Sequence, residues 1–201
     1  MVKQLKRIGI FGGSFDPPHI GHLVIAELAR RTLRLDFVYF VPAYKPPHKA
    51  GRHASTARDR LVMTTLSTKG SPGLRVSDAE IKRRGVSYTV DTVRAFRRRF
   101  PKAELFLIIG GDSMEQFHSW KQPDEIAGIA ELAVYRRGNA GISGARQRRW
   151  KIHRIKGPRM EIASSEIRQL LADGKSVDEM VRKNVLKYIK RRKLYLRSIV
   201  K

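Results

Sequence analysis

A parallel, doubly wound α/β sheet is what this chain predicts, and three observations predict it. Short apolar runs, Ile8 to Phe11, Asp36 to Val41 and Glu104 to Ile109, alternate with longer segments of helical composition. A strand, a connection of helix length and a second strand make a right-handed βαβ unit, with both strands parallel and the ligand at their carboxyl ends. Glycine pairs, Gly12-Gly13 and Gly110-Gly111, stand at two of those ends. With 201 residues and 41% apolar composition, the chain is expected to form one domain, 1–201. The expected architecture is Rossmann-like with flanking helices, and 163–201 forms a small C-terminal helical part.

The first element carries the densest signal. Residues 8–22 read IGIFGGSFDPPHIGH. Ile8, Ile10 and Phe11 make a buried strand, and Gly12-Gly13 ends it and lets backbone approach a ligand. Pro17 and Pro18 fix φ, so a helix starts at about His19 or Ile20 with its free N–H groups turned back toward the glycines. An anion belongs there. His19 and His22, three apart, share a face and look into that pocket, which points to phosphoryl or nucleotidyl chemistry. Each part has a plainer reading: glycine pairs after strands are common, and two histidines make half of a metal site. Zinc needs three or four ligands, and the chain has no cysteine and no second histidine pair, so no protein-held metal is expected.

The following elements are read in order. Gly21 to Leu33 is a helix with one apolar and one charged side, and Asp36 to Val41 is the second strand. Pro42 to Lys49 is an extended loop because of its three prolines; Lys45, His48 and Lys49 either reach phosphates or simply decorate a surface loop. Thr56 to Thr68 reads as a helix with Leu61, Met63 or Val62, and Leu66 inward, and Leu74 to Val76 as a short strand. Ser87 or Thr89 is placed to cap the helix that carries Val90, Val93 and Phe96. Glu104 to Ile109 is an interior strand, and Asp112 beyond it either accepts nucleotide hydroxyls or caps a helix. Trp120 is either core or a flat face for a heteroaromatic ring.

Glu131 to Tyr135 is the next strand, and Gly138 to Arg149 a connection rich in glycine and arginine. Ser164 and Ser165 open a helix over Glu166 to Ala172 that Gly174 closes. With Arg168 one turn in, this start makes a second anion site, or else an ordinary serine cap beside an exposed arginine. Val177 to Leu196 supplies closing helices with Val181, Val185 and Ile189 on one face.

The charge is extreme. There are 42 Lys and Arg against 18 Asp and Glu, a net +24, which attracts polyanions. The bases lie on apparent helix faces with no interleaved aromatics, so a solvated basic surface is the expectation and nucleic acid is not the expected partner. No apolar run approaches the roughly 20 residues that span a bilayer, and the N-terminus lacks an apolar secretion core, so a cytoplasmic protein is expected. A homo-oligomer is compatible with the sequence, which does not fix the state.

GGSFDPPHIGH resembles the N-terminal motif of the nucleotidylyltransferase superfamily, through Ser14, His19, Gly21 and His22. The resemblance implies that both histidines sit on the α-phosphate of a nucleoside triphosphate. Class I aminoacyl-tRNA synthetases share these letters, so this motif leaves the substrate open. Beyond it, the chain is similar over almost its full length to bacterial nicotinate mononucleotide adenylyltransferases. The matches are PPHK (Pro46 to Lys49), SYTVDT (Ser87 to Thr92), IIGGDS (Ile108 to Ser113), the aromatic Trp120, and IASSEIR (Ile162 to Arg168). Ala163 and Ser165 depart from the usual ISSTxIR, and Arg137 stands where the family often has proline.

The resemblance implies that nicotinate mononucleotide attacks ATP at its α-phosphorus, giving deamido-NAD and pyrophosphate, with Mg²⁺ carried on the ATP phosphates. His19 and His22 would be the catalytic residues. Gly12, Gly13, Ser14, His19, Gly21, His22, Asp112, Ser165 and Arg168 would bind ATP. Lys45, His48, Lys49, Tyr88, Thr89, Asp112 and Trp120 would bind the mononucleotide. Two alternatives stand beside this reading: the same chemistry on nicotinamide mononucleotide, and a basic RNA-binding protein that keeps a synthetase-like fold without chemistry.

Overall fold

The computed structural model describes residues 6–47, 54–137, 149–158 and 160–196. Six strands, β1 (Arg7–Gly13), β2 (Phe37–Pro42), β3 (Leu74–Val76), β4 (Glu104–Gly110), β5 (Glu131–Arg137) and β6 (Ile152–Gly157), form a single sheet. Every pairing is parallel, in the order β3-β2-β1-β4-β5-β6. The order turns outward in both directions from β1 and β4. A crevice therefore opens between their carboxyl ends, where the two glycine pairs lie.

The helices among the described residues are α1 (Ile20–Thr32), α2 (Ala57–Thr68), α3 (Ala79–Arg83), α4 (Thr89–Arg99), α5 (Gly111–Glu115), α6 (Pro123–Ile129), α7 (Ser164–Ala172) and α8 (Lys183–Arg191). None is long and apolar enough to cross a membrane.

Both faces of the sheet are buried, and the two-residue period of the strands divides their side chains between two cores. Ile8, Ile10, Leu105, Leu107 and Ile109 pack under α4 and α6 with Val90, Val93, Phe96 and Ile126. Phe11, Val38, Phe40, Phe106 and Ile108 pack under α1 with Leu23, Ala26 and Ala29. A third core joins α2 to the C-terminal helices through Met63, Ile167, Leu171, Val181, Val185 and Ile189. That core holds α7 against the site.

Several elements differ from the sequence reading. The buried side of α2 holds Met63 but is otherwise polar, made of Asp59, Arg60, Thr64, Ser67 and Thr68, while Leu61 and Leu66 stay half-buried. Hydrogen bonding makes this possible: Tyr188 donates to Asp59 at 2.7 Å, and the Thr64 hydroxyl donates to the Arg60 carbonyl at 2.7 Å. Strand β6 was not anticipated; its IHRIKG sets two isoleucines among polar and charged residues and buries only Ile155, as suits an edge strand. Helix α3 was not anticipated either. The cap of α4 is Tyr88, with no side-chain bond, because the Ser87 hydroxyl instead accepts the Tyr44 N–H at 2.8 Å.

Candidate active site

The turn after β1 is shaped by one buried ring. Phe15 has φ +50, a conformation costly for a bulky residue, and it is 2% exposed. Its ring packs on Phe11, Phe40 and His22 with centroids 5.6, 5.3 and 5.0 Å away. The Gly13 position faces the same ring, and a Cβ built there would lie 2.9 Å from it. Phe15 so anchored fixes the two residues beside it, Ser14 and Asp16.

Asp16 is buried, and its carboxylate collects the loop. It accepts from the Ala54 N–H at 3.0 Å, from the Ser55 hydroxyl at 2.5 Å and from the Tyr195 hydroxyl at 2.7 Å. Helix α7 adds two struts from far along the chain: Arg168 donates to the Asp16 carbonyl at 2.8 Å, and the Ser164 hydroxyl to the Pro17 carbonyl at 2.9 Å. Ser164 is thereby committed to the scaffold. Ser165, in the exposed first turn of α7, keeps its hydroxyl and the helix N–H groups available to an anion.

His19 caps α1, and the imidazoles of His19 and His22 stack with centroids 3.7 Å apart. The Ile20 N–H donates to the Met180 carbonyl at 2.9 Å, so one of the N–H groups expected to face an anion is already used. The His19 N–H donates to Nδ1 of His22 at 3.2 Å. That bond assigns the His22 proton to Nε2, which becomes a donor. Burial, and then the neighbouring His19, hold the His22 pKa well below its ordinary value, so near neutral pH the ring is uncharged. Gly21 is needed for this packing: a Cβ there would meet the His19 ring at 3.0 Å.

Two cavities open at the crevice. The first, about 620 Å³, is lined by Gly13, Ser14, His19, Gly21, His22, Asp112, Ser165 and Arg168, together with Gly110, Gly111 and Glu115. The second, about 490 Å³, is lined by Gly12, Gly13, Ser14, Pro46, Pro47, Glu80, Ser87, Tyr88, Thr89, Thr92, Trp120 and Lys121, over a floor that includes Ile10, Leu107 and Ile109. Gly13 and Ser14 belong to both. The structure therefore brings together most of the residues singled out from sequence, but divides them differently in three places. Gly12 faces the second cavity and Asp112 the first. Lys45 lies outside both, exposed, where its backbone bridges to Val86. His48 and Lys49 lie outside the described residues.

Sequence reasoning missed Arg60. It is 1% exposed, and its guanidinium donates to the carbonyls of Ser14 at 3.1 Å, Ala43 at 2.5 Å and Tyr44 at 3.1 Å. It thus ties the turn after β1 to the loop after β2, behind both cavities. Burial lowers its pKa, while Asp16 and Glu80 act the other way. Among the described residues no group of three or more His, Asp or Glu is placed to hold a metal ion.

The cytidylyltransferase-like family profile matches residues 10–170. A protein of Salinibacter ruber named a probable nicotinate-nucleotide adenylyltransferase is 40% identical over 189 residues, covering 94% of this chain and 97% of its own length. One of the same name from Shouchella clausii is 38% identical over 191 residues, covering 95% and 97%. Among solved structures, nicotinic acid mononucleotide adenylyltransferase of Plasmodium falciparum, complexed with APC, superposes with a TM-score of 0.77 at 20% identity, over 94% of this chain and 97% of that one. Its complex with NaAD gives the same TM-score of 0.77.

Proposed function

The chain belongs to the cytidylyltransferase-like family and, within it, to the nicotinate-nucleotide adenylyltransferases, and we propose on that footing that it transfers the adenylyl group of ATP to nicotinate mononucleotide, forming deamido-NAD and pyrophosphate. The observation that carries the reading to the atoms is the sharing of Gly13 and Ser14 by both cavities. ATP in the first and the mononucleotide in the second meet at that one turn. The mononucleotide 5′-phosphate attacks the α-phosphorus there, the bond from that phosphorus to the β-phosphate bridging oxygen breaks, and pyrophosphate leaves.

The nucleophile is already an anion, so no proton need be removed from it. What the protein supplies is alignment and stabilisation of charge on the reacting phosphoryl. His22 donates through Nε2–H, and His19 stacks on it at the mouth of α1. Ser14 and the Gly13 backbone line the meeting point. Ser165, the first turn of α7 and Arg168 receive the departing pyrophosphate. Magnesium would enter as part of the substrate, bound through the ATP phosphates, and Asp112 in the first cavity would accept nucleotide hydroxyls. In the second cavity Thr89 and Tyr88 border the pyridine, and half-buried Trp120, packed on Phe117 at 5.2 Å, offers its face for stacking.

We place the enzyme in the cytoplasm, where ATP and the mononucleotide are both found, with nucleic acid as no part of its task. Pyrophosphate release in the presence of ATP, Mg²⁺ and nicotinate mononucleotide, and none when either nucleotide is left out, is the result this function requires.

A further inference from the structure

The second cavity has a polarity of its own. If it holds the mononucleotide, as proposed above, the phosphate must lie at Gly13 and Ser14, where that cavity meets the first. The pyridine then falls at the other end, among Tyr88, Thr89, Trp120 and Lys121. Only two charged side chains line this cavity among the described residues, Glu80 and Lys121. Glu80 is 5% exposed and accepts the Thr92 hydroxyl at 2.5 Å, and burial raises its pKa. It is turned into the scaffold.

Lys121 is different. It is exposed, and its ammonium lies 4.3 Å from the centroid of the Tyr88 ring. Cation–π contact of this kind holds the charge in place without neutralising it. Acids are near, but they are engaged elsewhere. Arg94 binds both oxygens of Glu125 at 2.6 Å, and Asp124 accepts from Trp150 at 2.8 Å and pairs with Arg149 at 3.2 Å. Among the described residues Lys121 has no carboxylate partner. A cation without an anion therefore borders the base end of a nucleotide cavity, on the residue next to the stacking face of Trp120.

We propose that the Lys121 ammonium reads the carboxylate on the pyridine ring and so sets the preference for the acid over the amide mononucleotide. A carboxylate gives an ammonium a charge-assisted hydrogen bond and a charge partner. A carboxamide gives it a neutral carbonyl only, and adds an NH₂ donor that an ammonium cannot satisfy. At a site open to water the difference is worth about tenfold.

The test compares kcat/KM for nicotinate and nicotinamide mononucleotides in the wild type, Lys121→Met and Lys121→Arg, with thermal unfolding of each variant as the check on folding. Lys121→Met should lower the acid-to-amide ratio about tenfold, mainly through KM for the acid, and Lys121→Arg should keep most of it. A ratio within twofold of wild type in Lys121→Met, or an equal fall for both substrates, would overturn the inference while leaving the adenylyltransferase reading intact. A wild-type protein that turns over neither mononucleotide would instead overturn that reading.

Discussion

The backbone N–H of His19 donates to Nδ1 of His22, and this one bond of 3.2 Å decides what His22 offers the substrate. With Nδ1 occupied as an acceptor, the proton of a neutral ring sits on Nε2. On the proposed function, the residue would donate a hydrogen bond to phosphate even when it carries no charge. Replacing His22 by Ala should lower kcat by on the order of 10² or more, the cost of losing one donor aimed at developing charge. Steady-state kinetics at saturating ATP and mononucleotide give the number, and a fall of less than about threefold would remove His22 from the chemistry.

Protonation should couple to ATP binding. Burial and His19 depress the His22 pKa in the free enzyme, and a triphosphate beside the ring pushes it back up. Between those two values binding takes up a proton. Calorimetric titration with ATP in two buffers of different ionisation enthalpy should show more proton uptake for the wild type than for His22→Ala, over a pH window reaching down from neutrality. Identical proton counts would mean that the bound phosphate does not face the ring. The same depression also sets a stability trend. Below about pH 6.5 the unfolded chain binds the extra proton first, so His22 lowers folding stability as the pH falls through that value.

Gly21 is a packing requirement of the stacked pair. A Cβ would stand 3.0 Å from Nδ1 of His19, so Gly21→Ala should displace the His19 ring while leaving the helix itself slightly favoured. The expected outcome is a protein with nearly unchanged thermal unfolding and kcat reduced at least about tenfold, since misplacement by a fraction of an ångström is costly in positioning. Full activity in that variant would show that the ring can give way without consequence.

Arg60 predicts a stability effect. Met in its place keeps much of the bulk but leaves the carbonyls of Ser14, Ala43 and Tyr44 without their donor in a buried site. The cost expected is about 2–4 kcal/mol, the desolvation of unpaired polar groups less the relief of burying a charge. Urea unfolding of Arg60→Met against wild type measures it. A change below about 0.5 kcal/mol would show that water replaces the guanidinium at no loss.

The parts of this account that were legible in the sequence are local. Strands β1 and β4, with their terminal glycine pairs, are continuous apolar runs buried on both faces, and the histidine motif lies within one turn of a helix start. Long-range bookkeeping was not legible. Arg60 reads as a surface residue because arginine usually is one; only the stripe of Arg60, Thr64, Ser67 and Thr68 on one face of α2 hinted that polar groups there meet each other. Asp16 was not singled out, since its partners Ser55 and Tyr195 come from distant segments. Ser164 and Ser165 are equivalent neighbours in sequence, and the Pro17 carbonyl is what separates the strut Ser164 from the exposed Ser165. Lys121 was passed over beside Trp120, because its distance from the Tyr88 ring appears only after α4 and the segment before α6 are brought together.

The central claim is that two nucleotides meet at Gly13 and Ser14 and exchange an adenylyl group. Its most direct measurement is the product mixture formed from ATP, Mg²⁺ and nicotinate mononucleotide, resolved by chromatography alongside a pyrophosphate assay. Deamido-NAD and pyrophosphate in equal amounts, each absent when either nucleotide is omitted, is the predicted result. Pyrophosphate released from ATP without the mononucleotide, or no deamido-NAD from the complete mixture, would contradict it.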